Sequence, residues 1–368
     1  MTKIIEGVFL IVSTIVGLGV FLLPAALAQS GLYFWLWFIF LILAIYLLHL
    51  AYGEVIFQAG EKHNLPGLAA KFLNPNLKLP VWLFDFVGFQ LIIFIYLIAL
   101  ARFVPLLYPA PAFSIKLVTV SFVAGITYFS LNPLARIEAL LSLVLIVLFL
   151  MIGIYLLPNF NLEYFSPTFH LPGLNPIYSY GLLIFALTGY SALPLVYDLV
   201  GRNRRLFQTV NILALLLVFL LYAFFALAVV GVLGRSVSED GLRSLTSVLT
   251  PNLAKAAVTL SIVNILTTFL SLIFYLKRGL IEDFRLTSKQ AWFFVNLPGL
   301  IFTLVSIERL AAFANLIGSL FLGVNLMVFL LCYSRLKTIQ YFKISKAVIW
   351  LLVFVFGLGW LVGLFFEF

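Results

Sequence analysis

Long apolar runs alternate with short polar intervals along the whole chain, and two of the runs are broken in the middle by glycine and proline. A bilayer-spanning helix needs about 20 apolar residues at ~1.5 Å each. On that measure the pattern predicts about eleven spans, near 5–27, 32–57, 81–107, 112–131, 136–157, 177–199, 208–232, 254–276, 290–306, 309–333 and 346–366. The broken runs fall in the first and sixth, at Thr14-Ile-Val-Gly-Leu-Gly-Val-Phe-Leu-Leu-Pro24 and Phe185-Ala-Leu-Thr-Gly-Tyr-Ser-Ala-Leu-Pro194. Inside a bilayer an unpaired backbone N–H or C=O costs several kcal/mol unless protein, water or ligand satisfies it. A pair of mid-membrane breaks in two halves of a chain therefore points to the binding site of a transporter.

Gly19 and Gly189 are 170 residues apart, as are Pro24 and Pro194. The spacing alone is weak, because Gly153 and Pro158 repeat it at an ordinary helix end. Position carries the weight: each break heads a set of five spans. Five is odd, so the second set runs through the membrane inverted relative to the first. The expected fold is an all-α integral membrane protein with discontinuous helices 1 and 6. One domain covers 1–368, with a first inverted repeat at 1–157, a second at 177–334 and an extra C-terminal helix at 345–368. The reading without a ligand is two kinked helices packed by small residues. With one, the half-helix N-termini suit a carboxylate, and the opposing C-terminal ends and unwound carbonyls suit an ammonium group, Na⁺ or a proton carried by water. An α-amino acid carries both charges, and glycine lets the backbone approach it without a Cβ between.

Composition agrees: 64% of residues are hydrophobic and 10% charged, with mean hydropathy +1.20, where soluble domains carry about a quarter charged. A net charge of +9 would suggest nucleic acid in a soluble protein. Here it reads as topology and implies no nucleic-acid partner. With the N-terminus inside, sixteen of the 22 basic residues fall on the cytoplasmic side, leaving Arg102, Lys116, Arg235, Arg243, Lys255 and Arg309 outside. The interval from Pro158 to Pro176 has no Lys or Arg, as an external loop should. A multi-pass cell-membrane protein with a cytoplasmic N-terminus and an external C-terminus is expected. The first 30 residues also look like a secretory signal peptide, but the apolar run is long for one and holds Glu6 and the Gly-Leu-Gly break, so an uncleaved first span is expected. The single Cys332 excludes an internal disulfide framework.

Val16-Gly-Leu-Gly19 followed by Phe21 and Pro24 resembles the first-span signature of the amino acid–polyamine–organocation superfamily. Further pieces resemble its amino acid/auxin permease branch, with bacterial aromatic amino acid permease relatives. They are Tyr52-Gly-Glu54, Asn64-Leu-Pro-Gly-Leu-Ala-Ala-Lys-Phe72, Gly189-Tyr-Ser-Ala-Leu-Pro194 running on to Gly201-Arg-Asn-Arg-Arg205, Leu266-Thr-Thr-Phe-Leu270 and Glu282-Asp-Phe284. The resemblance implies a five-plus-five inverted repeat of the LeuT type and transport of amino acids by alternating access. It places the substrate carboxylate on the backbone of Gly17, Leu18 and Gly19, near Ile15, with Phe185, Thr188, Gly189 and Tyr190 lining the pocket from span 6. Ser13, Val16, Thr267 and Thr268 fall where sodium-coupled relatives hold Na⁺. The branch usually has a smaller residue at Leu18, which bears on pocket size. The lysine that proton-coupled members can carry in span 5 is missing, since Arg136 and Glu138 lie at that span's cytoplasmic start.

Ionisable groups inside spans are functional candidates because burying them is expensive. Glu6, Glu54, Asp85, Glu138 and Asp198 all fall near the predicted cytoplasmic face. They read either as interface residues or as an inner gate paired with Lys62, Arg136 or Arg202. His49 is the most internal titratable group, and a lone His on an aromatic helix reads first as structural. Phe89 and Tyr96 on span 3 are expected to close the pocket. No His-Glu-x-x-His, cysteine cluster or phosphate-cradling glycine loop is present, so no enzyme and no cofactor is expected beyond Na⁺ or H⁺ as coupling ion. The expected function is ion-coupled symport of an amino acid, with a permease-fold amino acid sensor as the alternative. Neither the oligomeric state nor the particular amino acid follows from the sequence.

Overall fold

Leu36, Ile39 and Leu43 are exposed on one face of the second span, while Phe34, Phe38, Leu41 and Ile45 are buried on the other. A helix that is apolar on both faces has no side suited to water: its exposed stripe meets lipid and its buried stripe meets protein. The computed structural model describes residues 2–60, 63–129, 134–165, 177–201, 203–307 and 309–366, with no strand among them. Lys62, Arg202, residues 166–176 of the loop without basic residues, and the side chains of Arg136 and Glu138 lie outside what it describes.

In chain order, α1 (Thr2–Ile15) and α2 (Gly19–Ser30) make the first span, followed by α3 (Leu32–Ala59), a short α4 (Leu65–Phe72), α5 (Lys78–Phe103), α6 (Ala112–Tyr128) and α7 (Leu134–Leu156). The second broken span is α8 (Tyr178–Leu187) with α9 (Leu193–Val200). After it come α10 (Arg204–Leu233), a short α11 (Leu242–Thr246), α12 (Pro251–Phe284), α13 (Ser288–Phe302), α14 (Leu310–Leu316), α15 (Gly323–Ser334) and α16 (Lys346–Phe366). A π-helical stretch, Ile317–Leu322, joins α14 to α15. Among the described residues eight helical runs are long and apolar enough to cross a membrane, and α1 with α2 make a ninth if the pair counts as one span. The remaining predicted spans form the shorter helices α6 and α13, of 17 and 15 residues. Several helices outrun their apolar stretches: α5 starts at Lys78 rather than 81, and α12 continues to Phe284 rather than 276.

Both predicted breaks are present. In the first, the helix axis bends by 58°. The Val16 N–H still reaches the Val12 carbonyl at 2.7 Å, but Gly17 N–H turns to the Ile15 carbonyl at 2.8 Å, and helical bonding resumes beyond Leu18. Pro24 lies inside α2, well past the break, so the interruption belongs to Val16, Gly17 and Leu18 alone. In the second, Thr188 is extended (φ −72°, ψ 109°) and one tight turn, Tyr190–Ala192, leads into α9. There Pro194 falls in the first turn of the new helix, where its missing N–H has no intrahelical partner to lose.

Candidate substrate and ion site

The two breaks lie against each other. A Cβ at Gly19 would stand 2.7 Å from the Ala186 Cα, so only glycine allows α2 and α8 to cross this closely. Gly189 sits equally against the Ile15 side chain. Tyr222, on α10, ties the two ends together: its hydroxyl lies 2.8 Å from the Ile15 carbonyl and 3.2 Å from that of Ala186, sharing one proton between them. Two of the carbonyls freed by the breaks thus find a donor, as the membrane interior requires.

A small cavity of about 20 Å³ remains where the breaks meet. Thr14, Ile15 and Gly19 line it from the first break, and Phe185, Thr188, Tyr190 and Ser191 from the second. Phe89, Ile92 and Tyr96 line it from α5, with Leu272 and Leu322 completing the wall. Seven of the ten residues assigned to substrate from the sequence are therefore together: Ile15, Gly19, Phe89, Tyr96, Phe185, Thr188 and Tyr190. Gly17, Leu18 and Gly189 stand behind the wall. Gly17 lies under the Tyr96 hydroxyl, which would be 2.8 Å from a Cβ there, and Leu18 is fully buried. Of the lining residues not assigned to substrate from the sequence, Thr14 and Ser191 belong to the two break motifs, while Ile92, Leu272 and Leu322 carry no motif; only helical spacing places Ile92 on the Phe89–Tyr96 face.

The residues proposed for a cation are close to the first break but are engaged with protein. Ser13 Oγ donates to the Leu10 carbonyl at 3.0 Å, and Thr267 and Thr268 each donate to the Asn264 carbonyl at 2.9 Å. Back-bonding of this kind is common for hydroxyls in membrane helices and leaves their lone pairs free. The Val16 carbonyl, by contrast, accepts the Asn264 side-chain amide at 2.8 Å.

Asp85 differs most from its sequence reading. It is not an interface residue: it is 3% exposed and lies one turn below Phe89 on the cavity-facing side of α5. Its Oδ1 accepts from Tyr190 Oη at 2.8 Å and Asn325 Nδ2 at 3.0 Å, and its Oδ2 accepts from Tyr275 Oη at 3.2 Å. No Lys or Arg among the described residues is within ion-pair distance. The other candidates remain peripheral. Asp198 pairs with Arg278 at 3.3 Å, and Glu54, though buried, holds the Gln340 and Phe342 N–H groups at 2.9 and 3.2 Å. His49 is bound to Asn211 at 2.8 Å, away from the cavity.

A bent first span, an interrupted sixth and a cavity where they meet define a multi-pass membrane transporter of the LeuT fold. Residues 5–285 match the amino acid permease family, and the chain belongs to it. Among solved structures it is similar to MhsT in complex with L-phenylalanine, with 16% identity, a TM-score of 0.70, and coverage of 99% of this chain and 98% of that one. It is similarly close to the Eremococcus coleocola manganese transporter in complex with an aromatic bis-isothiourea compound, with 17% identity and a TM-score of 0.70 over 98% of this chain and 85% of that one. No curated protein matches the sequence. At such identities the likeness concerns the fold.

Proposed function

We propose that the protein is an ion-coupled symporter that carries an amino acid across the cell membrane by alternating access, with its N-terminus in the cytoplasm. The observation that carries this reading is the meeting of the two breaks at Gly19 and Ala186 around one cavity. The cavity is bounded by the starts of two half-helices, at Gly19 and at Tyr190–Ser191, and by the ends of two others, at Ile15 and Phe185. The starts favour a carboxylate and the ends an ammonium group. Phe89, Tyr96, Phe185 and Tyr190 give the walls an aromatic character that fits an apolar or aromatic side chain, consistent with the L-phenylalanine bound by MhsT. The cavity is far smaller than an amino acid, so binding requires the aromatic side chains to move apart. Coupling to Na⁺ at Ser13, Val16, Thr267 and Thr268 would place the ion on the second lone pair of the Val16 carbonyl, whose first accepts the Asn264 amide.

Purified protein in liposomes should accumulate L-phenylalanine or another natural amino acid when an H⁺ or Na⁺ gradient is imposed. Failure with every natural amino acid under both gradients overturns the proposal. Saturable binding without flux would make the protein a sensor.

A further inference from the structure

Resting on the symport reading, we propose that Asp85 is the site where the coupling ion, a proton, is bound, and that Asn325 is the hydrogen-bond switch that registers its arrival. An ionisable side chain inside a membrane span is expensive and marks an ion path by default. Asp85 is such a group, and it touches the transport machinery through Tyr190, which lines the cavity and starts the turn into α9.

The cluster as it stands is built around an ionised carboxylate. Tyr190 Oη, Tyr275 Oη and Asn325 Nδ2 all point donors at it, and the Asn325 amide also donates to Tyr190 Oη at 2.8 Å. These contacts join four parts of the fold: α5, the second break, α12 and α15. The groups facing Asp85 are Tyr190, Tyr275 and Asp283 from the second break and α12, Tyr52 from α3, and Asn325 from α15. None is basic. Asp283 is itself held by His63 at 3.0 Å, and Lys78, on Asp85's own helix, is taken up by the Asp283 carbonyl. No fixed cation among the described residues neutralises the carboxylate, so the balancing charge must come from outside.

One atom waits for it. Asn325 Oδ1 is buried and has no hydrogen-bond partner among the described residues, although the other end of the same amide is 3.0 Å from Asp85. A buried acceptor left unmade is costly. A proton taken from water on the acidic side and added to Oδ1 of Asp85 converts an acceptor into a donor, and the amide then faces it with the wrong end. A half-turn about the Asn325 Cβ–Cγ bond exchanges the two ends, which are nearly alike in shape. The orphaned oxygen then accepts the new O–H, the Asn325 bond to Tyr190 is lost, and the amide NH2 takes the place where Oδ1 had no partner, a cost that favours return to the first arrangement once the proton leaves. Release of the proton to water on the other side restores the first arrangement. A proton needs no added space, which suits a cluster sealed by Phe89, Tyr275 and Phe329, whose rings pack round Tyr190.

The test uses the full chain in proteoliposomes with radiolabelled L-phenylalanine, or whichever natural amino acid exchanges across the membrane without a gradient. The readout is uptake with an acid-outside gradient divided by uptake at equal pH. The ratio should be several-fold above unity for wild type and for Asp85→Glu, which keeps a titratable carboxylate, and fall to unity for Asp85→Asn. Wild-type protein in lightly buffered detergent should also take up protons when the amino acid is added, which decides the matter even if the Asn variant does not fold. A ratio in Asp85→Asn equal to that of wild type overturns the proposal, as does a wild-type ratio of unity or substrate binding without proton uptake. If wild type exchanges no amino acid at all, the symport reading falls and this inference with it.

Discussion

Gly19 shows how one missing methyl group positions the site. With a Cβ at this position, both Ala186 Cα and Ala186 Cβ would be 2.7 Å away, and the first of these is backbone that no rotamer can move. Gly19→Ala must therefore push α2 and α8 apart, an overpacking that costs about 1–3 kcal/mol. The expected result is a lowered thermal midpoint in detergent together with loss of amino acid uptake, because both breaks shift relative to the cavity. Gly125 supplies the control, since a Cβ there would meet nothing within 4 Å: Gly125→Ala should leave both unchanged. A Gly19→Ala protein with wild-type uptake would separate the crossing point from the site.

At the scale of the helix, the breaks were legible because glycines interrupt apolar runs whose backbone must otherwise stay hydrogen-bonded, although Pro24, counted with the first break, lies inside α2 beyond it. The burial of Asp85 was not legible. Apolar counting puts the carboxylate near the predicted edge of span 3, whereas the packing of α5 against α12 and α15 encloses it in protein. The partners of Asp85 were invisible for another reason: Tyr190, Tyr275 and Asn325 are 105, 190 and 240 residues away, beyond any local pattern. Asn264 was likewise missed, since its meaning lies in its contact with Val16, 248 residues earlier. That contact makes its own prediction. With an amide donor already on it, the Val16 carbonyl is a weaker ligand for a cation placed between Val16 and Thr268, so replacing Na⁺ by choline should leave wild-type uptake at a fixed pH gradient unchanged. A requirement for Na⁺ in that assay would mean that the Val16 carbonyl serves the ion beside the amide or in its place.

Across the whole molecule, alternating access needs closures that are weak enough to open. Arg278 on α12 joins Asp198 at the end of α9 at 3.3 Å and Glu282 at 3.0 Å, on the face that the basic residues assign to the cytoplasm. The Arg278 and Asp198 side chains are 21% and 33% exposed, so their bond contributes at most about 1 kcal/mol. That is small beside the stability of the fold but is enough to move a two-state population roughly five-fold. Arg278→Ala should therefore raise the fraction of molecules open to the cytoplasm by up to that factor without unfolding the protein. The measurement is direct, because the lone native thiol, Cys332, is fully buried. A cysteine introduced by Ser191→Cys, in the wall of the cavity, should react faster with a membrane-impermeant thiol reagent from the cytoplasmic side once Arg278 is removed. Saturating amino acid should slow that reaction if it occupies the cavity. Labelling that is unchanged by Arg278→Ala would show that the pair decorates the cytoplasmic face without closing it, and would leave the cluster around Asp85, which ties the second break to α5, α12 and α15 from deeper in the fold, as the closure that must open.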